Sequence, residues 1–409
     1  MSLINAIKDK IAWRKTAPSI LLVLNTFVWY VVTYFVFSII INELELLETE
    51  KLIVFASYFL GIAVSAIIGP KIFSGARTKF LYLWIFTGAV ATLLLIIASK
   101  NDALANSLLA LFLGVSIGIG LPSCLGYFAD STSVENRGSI GGIIWIIVGF
   151  TVLFLIFLVN IFEKWIAIVI LTIWRIFGGF SFLFMTGKHK IFVVQQKSPS
   201  YLELLCKREV LLYLFPWVMF SLINFAEIPI LERVFGVEPF YFATFAEYIF
   251  AGIFASMGGI IADFVGRKRI VITGFVMIGI EYAALSVFSH LPAALYLFMT
   301  LDGITWGLFF SVFFMTIWGD LGEGYEKEKY YVLGGLPFLL ADFVSILVSP
   351  YASVISPVAA FSFASFFLFL AVIPLMFAPE TLPERHIRER ELRSYIEKAK
   401  RVREKFTKG

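Results

Sequence analysis

Twelve stretches of about 20 largely apolar residues succeed one another along the chain, at roughly 18–41, 52–72, 80–99, 104–127, 139–161, 165–186, 210–231, 241–262, 270–289, 292–317, 331–350 and 356–377. At 1.5 Å per residue a helix of that length crosses the hydrocarbon core of a bilayer. These runs are apolar almost all round, whereas a helix at the surface of a soluble protein alternates faces. With 60% hydrophobic residues and a mean hydropathy of +0.90, the expected fold is an all-α integral membrane protein with twelve transmembrane helices.

The cations orient the bundle. If both termini lie on the same, cytoplasmic side, all but five of the 33 Lys and Arg fall on that side or at its edge. Lys51, Lys100, Lys164 and Arg233 are the outer exceptions, and Arg175 lies inside span 6. An excess of Lys and Arg in short cytoplasmic loops selects this topology. The longest connector carries Lys188, Lys190, Lys197, Lys207 and Arg208 and divides the spans six and six. The expected organisation is a first bundle over 1–186, a cytoplasmic linker over 187–209, a second bundle over 210–378 and a charged tail over 379–409. In that tail Glu389 and Arg393, like Glu397 and Arg401, stand four apart, which favours a solvated helix lying under the bilayer. Nothing resembling a cleavable signal precedes the first span. Cys124 and Cys206 form no disulfide framework or metal motif, and the three His have no ligand-type neighbours.

An offset of 190 residues superposes the halves. It carries Gly69 to Gly259, Arg77 to Arg267, Lys79 to Arg269, Asp130 to Asp320 and Arg137 to Lys327, but it sets Phe73 opposite Asp263. Between spans 8 and 9 the chain reads Gly258-Gly259-Ile260-Ile261-Ala262-Asp263-Phe264-Val265-Gly266-Arg267-Lys268-Arg269. This run resembles the Gly-x-x-x-Asp-x-x-Gly-Arg-Lys-Arg loop signature of the major facilitator superfamily. Glu135-Asn136-Arg137-Gly138 is similar to that family's element between spans 4 and 5, and Pro379-Glu380-Thr381 to the terminus of its sugar-porter branch. Against the sugar branch, Asn25 stands where that branch commonly places an acid, and Pro216-Trp217-Val218-Met219 replaces its glutamine-rich opening of span 7.

The resemblance implies two pseudo-symmetric six-helix bundles around a central cavity. It further implies a gate built from Gly259, Asp263, Gly266, Arg267, Arg269, Glu135, Arg137, Asp320 and Glu380. In it Asp263 meets the N-terminus of span 5 near Gly138 and Ser139, Arg267 reaches Asp320, and Glu380 joins the same cluster. The weight of that reading falls against an ordinary helix cap with charge anchoring.

A carboxylate at mid-membrane is costly and calls for a reason. Five occur, all in the second half: Glu227, Glu247, Glu281, Asp302 and Asp342. Mapping by span number onto the cavity helices of the family selects Asp302, Asp342, Glu227 and Glu247, with Asn25, Asn224 and Trp306, as substrate or proton residues. The alternatives are structural hydrogen bonding for the aspartates and asparagines and snorkelling for the glutamates. Glu281 and Arg175 fall on more peripheral helices, where buried pairs or intrabundle hydrogen bonds are expected. Trp29, Trp145, Trp174 and Trp217 read as packing or interface residues.

No Gly-x-x-x-x-Gly-Lys-Ser/Thr phosphate loop occurs, which argues against ATP as the energy source. The expectation is a multi-pass protein of the plasma membrane, a monomer, moving a small-molecule substrate by alternating access with H+ as coupling ion. Its partners are that substrate and membrane lipid, not nucleic acid; no cofactor, metal or enzymatic activity is expected. The alternative is a non-transporting sensor or scaffold on the same fold.

Overall fold

The computed structural model describes residues 13–72, 77–184, 196 and 199–383. Twelve helices among them are long and apolar enough to cross a membrane. They are α1 (Thr16–Glu43), α2 (Glu48–Ile72), α3 (Arg77–Ile97), α4 (Ala103–Ser131), α5 (Arg137–Ile161), α6 (Lys164–Phe182), α7 (Arg208–Phe235), α8 (Val237–Val265), α9 (Arg267–Phe288), α10 (Ala293–Leu321), α11 (Glu328–Tyr351) and α12 (Pro357–Phe377). The first six and the last six make two bundles facing each other. Large apolar side chains such as Leu60, Phe86, Phe154, Phe157, Phe363 and Phe366 stand exposed on the outside, where lipid tails would cover them. The charged tail beyond residue 383 and Phe73 lie outside the described residues.

Glycines set the tightest corners. α7 passes to α8 through Gly236 alone (φ +85°), and α8 to α9 through Gly266 alone (φ +105°), both in the left-handed region that favours glycine. Arg233, expected in an outer loop, therefore sits in the last turn of α7 and donates to the Ile355 carbonyl (2.6 Å). α5 and α8 join the halves with their backbones in contact. A Cβ on Gly259 would lie 2.1 Å from the Gly138 carbonyl oxygen, one on Gly142 2.5 Å from that of Ala255, and one on Gly149 2.7 Å from that of Tyr248. Small residues permit this approach where apolar lipid supplies no hydrophobic drive for helix association.

α10 is regular from Ala293 to Leu308, then widens to a π-helix over Phe309–Ile317 before its last α turn. Such widening is rare and is frequent at functional sites. Gln196 pairs with the α10–α11 loop, accepting from Glu326 N (3.2 Å) and donating to Gly324 O (3.1 Å). A short helix, Tyr201–Cys206, follows with a capping box between Ser200 and Glu203.

Candidate functional site

At the end of the bundle that carries the α4–α5, α8–α9 and α10–α11 loops, the two halves are tied by charge. We call it the latch face. The Asp263 carboxylate, at the end of α8, accepts from Gly138 N (3.1 Å), Ser139 N (2.7 Å) and Ser139 Oγ (2.5 Å) at the start of α5. Free N–H groups and the positive end of the helix dipole favour an anion there. Arg267 pairs with Asp263 (2.9 Å) and with Asp320 (3.2 Å), and donates to the carbonyls of Ala262 (2.8 Å) and Val134. Asp320 also pairs with Arg137 and accepts from Thr381 Oγ1 (3.2 Å). Both arginines are fully buried, so carboxylates at bonding distance must offset their desolvation.

The same arrangement recurs in the other half. Asp130, the counterpart of Asp320, pairs with Arg77 (2.6 Å) and with Lys327 across the interface (3.1 Å). Each aspartate at the foot of α4 or α10 therefore holds one cation from its own half and one from the other. The sequence offset aligned these residues, yet the reading of the gate omitted Asp130, Arg77 and Lys327. It also omitted Glu328, at the start of α11, which pairs with Arg77. Glu328 stands opposite Gly138 in the 190-residue offset, so this seam carries its extra carboxylate on the other helix. Glu380 caps α9, accepting from Arg267 N (2.7 Å) and Lys268 N (3.1 Å). Lys268 donates to the carbonyls of Met376 (3.1 Å) and Ala378 (3.0 Å). Glu135 is half-buried in the α4–α5 loop, while Arg269 points outward, exposed, away from the ion pairs.

Deeper in, aromatic rings bridge the halves. Trp145 of α5 stacks on Phe310 of α10 at 3.9 Å between centroids and 11° between planes. Phe27 of α1 meets Trp145 at 4.9 Å and Phe314 at 5.5 Å, and Phe338 of α11 meets Phe314 at 5.4 Å. Offset and edge-on contacts of this kind add to the burial of large apolar surfaces.

Beyond that layer lie the acids. Counted along their helices at 1.5 Å per residue, all five are about 10–15 Å below the far face. Asp302 accepts from Asn224 Nδ2 (3.2 Å), with Trp306 one turn on along α10 and the Glu247 carboxyl of α8 close by. Asn224 also contacts the Tyr282 hydroxyl (3.3 Å), which lies within the field of Glu281, Asp302, Glu227 and Glu247. Glu227 is 5% exposed and therefore does not snorkel to the face; its Oε2 has no partner. Glu281, expected to be paired on a peripheral helix, joins this cluster with both carboxyl oxygens unpartnered and no exposure at all. α9 packs against α10 and turns that side chain inward, toward Asp302.

Asp342 sits apart on α11, half-buried, and Tyr30, Tyr34, Tyr58 and Tyr248 of α1, α2 and α8 lie within its electrostatic reach. None of these tyrosines stood out in the sequence. Asn25 faces α6: its Nδ2 donates to the Trp174 carbonyl (2.5 Å), and its Oδ1 accepts from Arg175 (3.2 Å). Arg175 makes intrabundle hydrogen bonds, one of the two expected arrangements, to Asn25 and to Thr26 Oγ1 (3.1 Å), and pairs with no carboxylate among the described residues. Its guanidinium lies between the rings of Trp29 (4.1 Å) and Trp84 (4.3 Å), a cation–π sandwich closed off behind α1. Among the described residues no group of three or more His, Cys, Asp and Glu is placed to hold a metal ion.

With two helical bundles tied by charge at one face, the chain has a major facilitator fold. It is similar in structure to the human organic anion transporter MFSD10 (TETRAN), with a TM-score of 0.62 and 16% sequence identity, over 88% of this chain and 99% of that one. No protein-family model and no curated protein sequence matches the chain.

Proposed function

We propose that the chain is a proton-coupled secondary active transporter that moves a small solute by alternating access. The latch face is the cytoplasmic one, both termini lie there, and the host membrane is the plasma membrane. The described state is closed to the cytoplasm. Segments 1–186 and 210–378 move as bodies about the α5–α8 contact, with 187–209 as the linker between them and 379–409 as a cytoplasmic tail. The cation distribution supports this orientation.

The observation that carries the coupling is the closeness of the Glu247 and Asp302 carboxyls, each within the other's field in a buried site. Two neighbouring carboxylates in a water-poor site repel each other, so such a pair favours holding one proton. The pair lies among further acids and with no Lys or Arg at its depth in α7–α11, so nothing neutralises it permanently. An aromatic layer and the latch separate it from the cytoplasm. Opening the latch and parting those rings would wet the pair from inside and release the proton; closing returns it to the outer side. The organic-anion cargo in the name of the human neighbour does not carry over, because the one mid-span cation, Arg175, is sealed between tryptophans.

The test is solute accumulation in proteoliposomes with an imposed pH gradient. Asp302→Asn is expected to lower accumulation at least 100-fold while exchange at equal pH continues. Full accumulation by this variant removes the coupling role. Absence of any flux in the parent protein, over a broad solute set, favours a sensor instead.

A further inference from the structure

Asp342 poses a separate question, since it belongs neither to the Glu247–Asp302 pair nor to the latch. It makes no ion pair among the described residues and is only half-buried. Tyr34, Tyr58 and Tyr248 lie at nearly its depth, about 14–17 Å from the far face by helix rise. They come from α1, α2 and α8, so with α11 the groups around Asp342, here called the chamber, are drawn from both halves. Its walls are aromatic: Tyr34 stacks with Tyr58 at 5.4 Å, Phe59 meets Phe343 at 5.3 Å, and Tyr30 meets Phe338 at 6.5 Å. The Tyr58 hydroxyl is buried and has no partner. A buried hydroxyl left unpaired is unfavourable, and a polar occupant of the chamber would satisfy it.

We propose that Asp342 and the aromatic side chains around it form the binding site for an organic cation, an alkyl- or arylammonium, as the transported solute. The proposal rests on the transporter reading given above. One carboxylate beside aromatic rings suits a large, weakly hydrated cation, which is held by charge and by ring faces together. A small metal ion instead requires several oxygens converging on one point. An anion would find no cation to pair with here, because the titratable groups facing this compartment among the described residues are carboxyls and tyrosines.

Equilibrium binding to the purified full chain in nanodiscs, at fixed pH, tests the assignment without any gradient. The probes are tritiated benzyltrimethylammonium and tetraethylammonium, with phenylacetate and benzyl alcohol as anionic and neutral competitors. At least one ammonium ion should bind saturably, and the competitors should displace it at least tenfold less well than the unlabelled cation does. Asp342→Asn should weaken cation binding at least tenfold while melting like the parent. Asp342→Glu should stay within about fivefold, and Tyr58→Leu should weaken binding about fivefold. Binding by neither ammonium ion, equal displacement by phenylacetate or benzyl alcohol, or parental affinity in a folded Asp342→Asn overturns the proposal. Saturable binding without flux would leave the cation site standing and remove the transporter reading. Gradient-driven uptake of an anion or neutral solute, with no ammonium binding, would do the reverse.

Discussion

The α5–α8 seam and the α2–α11 seam occupy equivalent places in the internal repeat, yet they are built from different materials. α5 and α8 touch backbone to backbone through Gly138, Gly142, Gly149, Gly252 and Gly259. α2 and α11 meet through rings, with Phe59 against Phe343. Gly69, the repeat counterpart of Gly259, packs within its own half, its Cβ position 2.3 Å from the Ile119 carbonyl oxygen. The charges differ in step. Asp263 reaches from α8 to the bare N-terminus of α5, whereas in the other seam the extra acid, Glu328, stands on the helix N-terminus itself and takes Arg77. A close backbone seam fixes where the halves pivot. A seam of larger, deformable side chains leaves room for an occupant, and Tyr58 and Asp342 lie on it.

The strongest way to break this contrast is to fill the glycine seam. Gly259→Val should force α5 and α8 apart, and overpacking of this kind costs about 1–3 kcal/mol. Spin labels at Ser133 and Arg269, both exposed on the latch face, should then report a latch-closed population reduced roughly 5- to 150-fold, since 1.4 kcal/mol is tenfold. Gly69→Val, by contrast, should lower the melting temperature and leave the label distance unchanged. Equal effects of the two on the latch would dissolve the distinction between a pivot and an ordinary helix contact.

Asp263→Asn tests the charge across the same seam. An amide keeps part of the hydrogen bonding to Gly138 and Ser139 but loses the attraction to the helix end and to Arg267. A contact of this type is worth about 0.3–2 kcal/mol, so the closed population should fall by up to about thirtyfold. A label distance identical to the parent's would remove Asp263 from the gate.

Glu328→Gln should act least. Arg77 keeps Asp130 at 2.6 Å, and its side chain is 23% exposed, so water screens the lost pair. The amide still accepts from Arg77, and loss of one of its two partly screened charge partners is a change of up to about 1 kcal/mol, which predicts a shift of at most about fivefold in the same distance measurement. A shift larger than that of Asp263→Asn would reverse the ranking of the seams.

The sequence was sufficient for the parts governed by chain-local physics. Apolar runs of about 20 residues must be helices in a bilayer, since no other backbone satisfies its own N–H and C=O groups there. The Gly266 turn followed from a local motif, whereas Asp263 facing Gly138 and Ser139, and Arg267 reaching Asp320, were implied by the resemblance to the major facilitator superfamily and not by local physics. Which way a buried side chain points did not follow. These helices are apolar all round and carry no amphipathic signal to mark a cavity face, so span number had to stand in for direction. That substitution placed Asn25 among the cavity candidates, while packing turns it toward Trp174 and Arg175. It set Glu281 aside, while packing buries it beside Asp302. Tyr30, Tyr34, Tyr58 and Tyr248, drawn from α1, α2 and α8, converge on Asp342 of α11 only because two bundles meet there. Contacts between residues hundreds of positions apart depend on helix rotation and crossing, which only the tertiary structure decided.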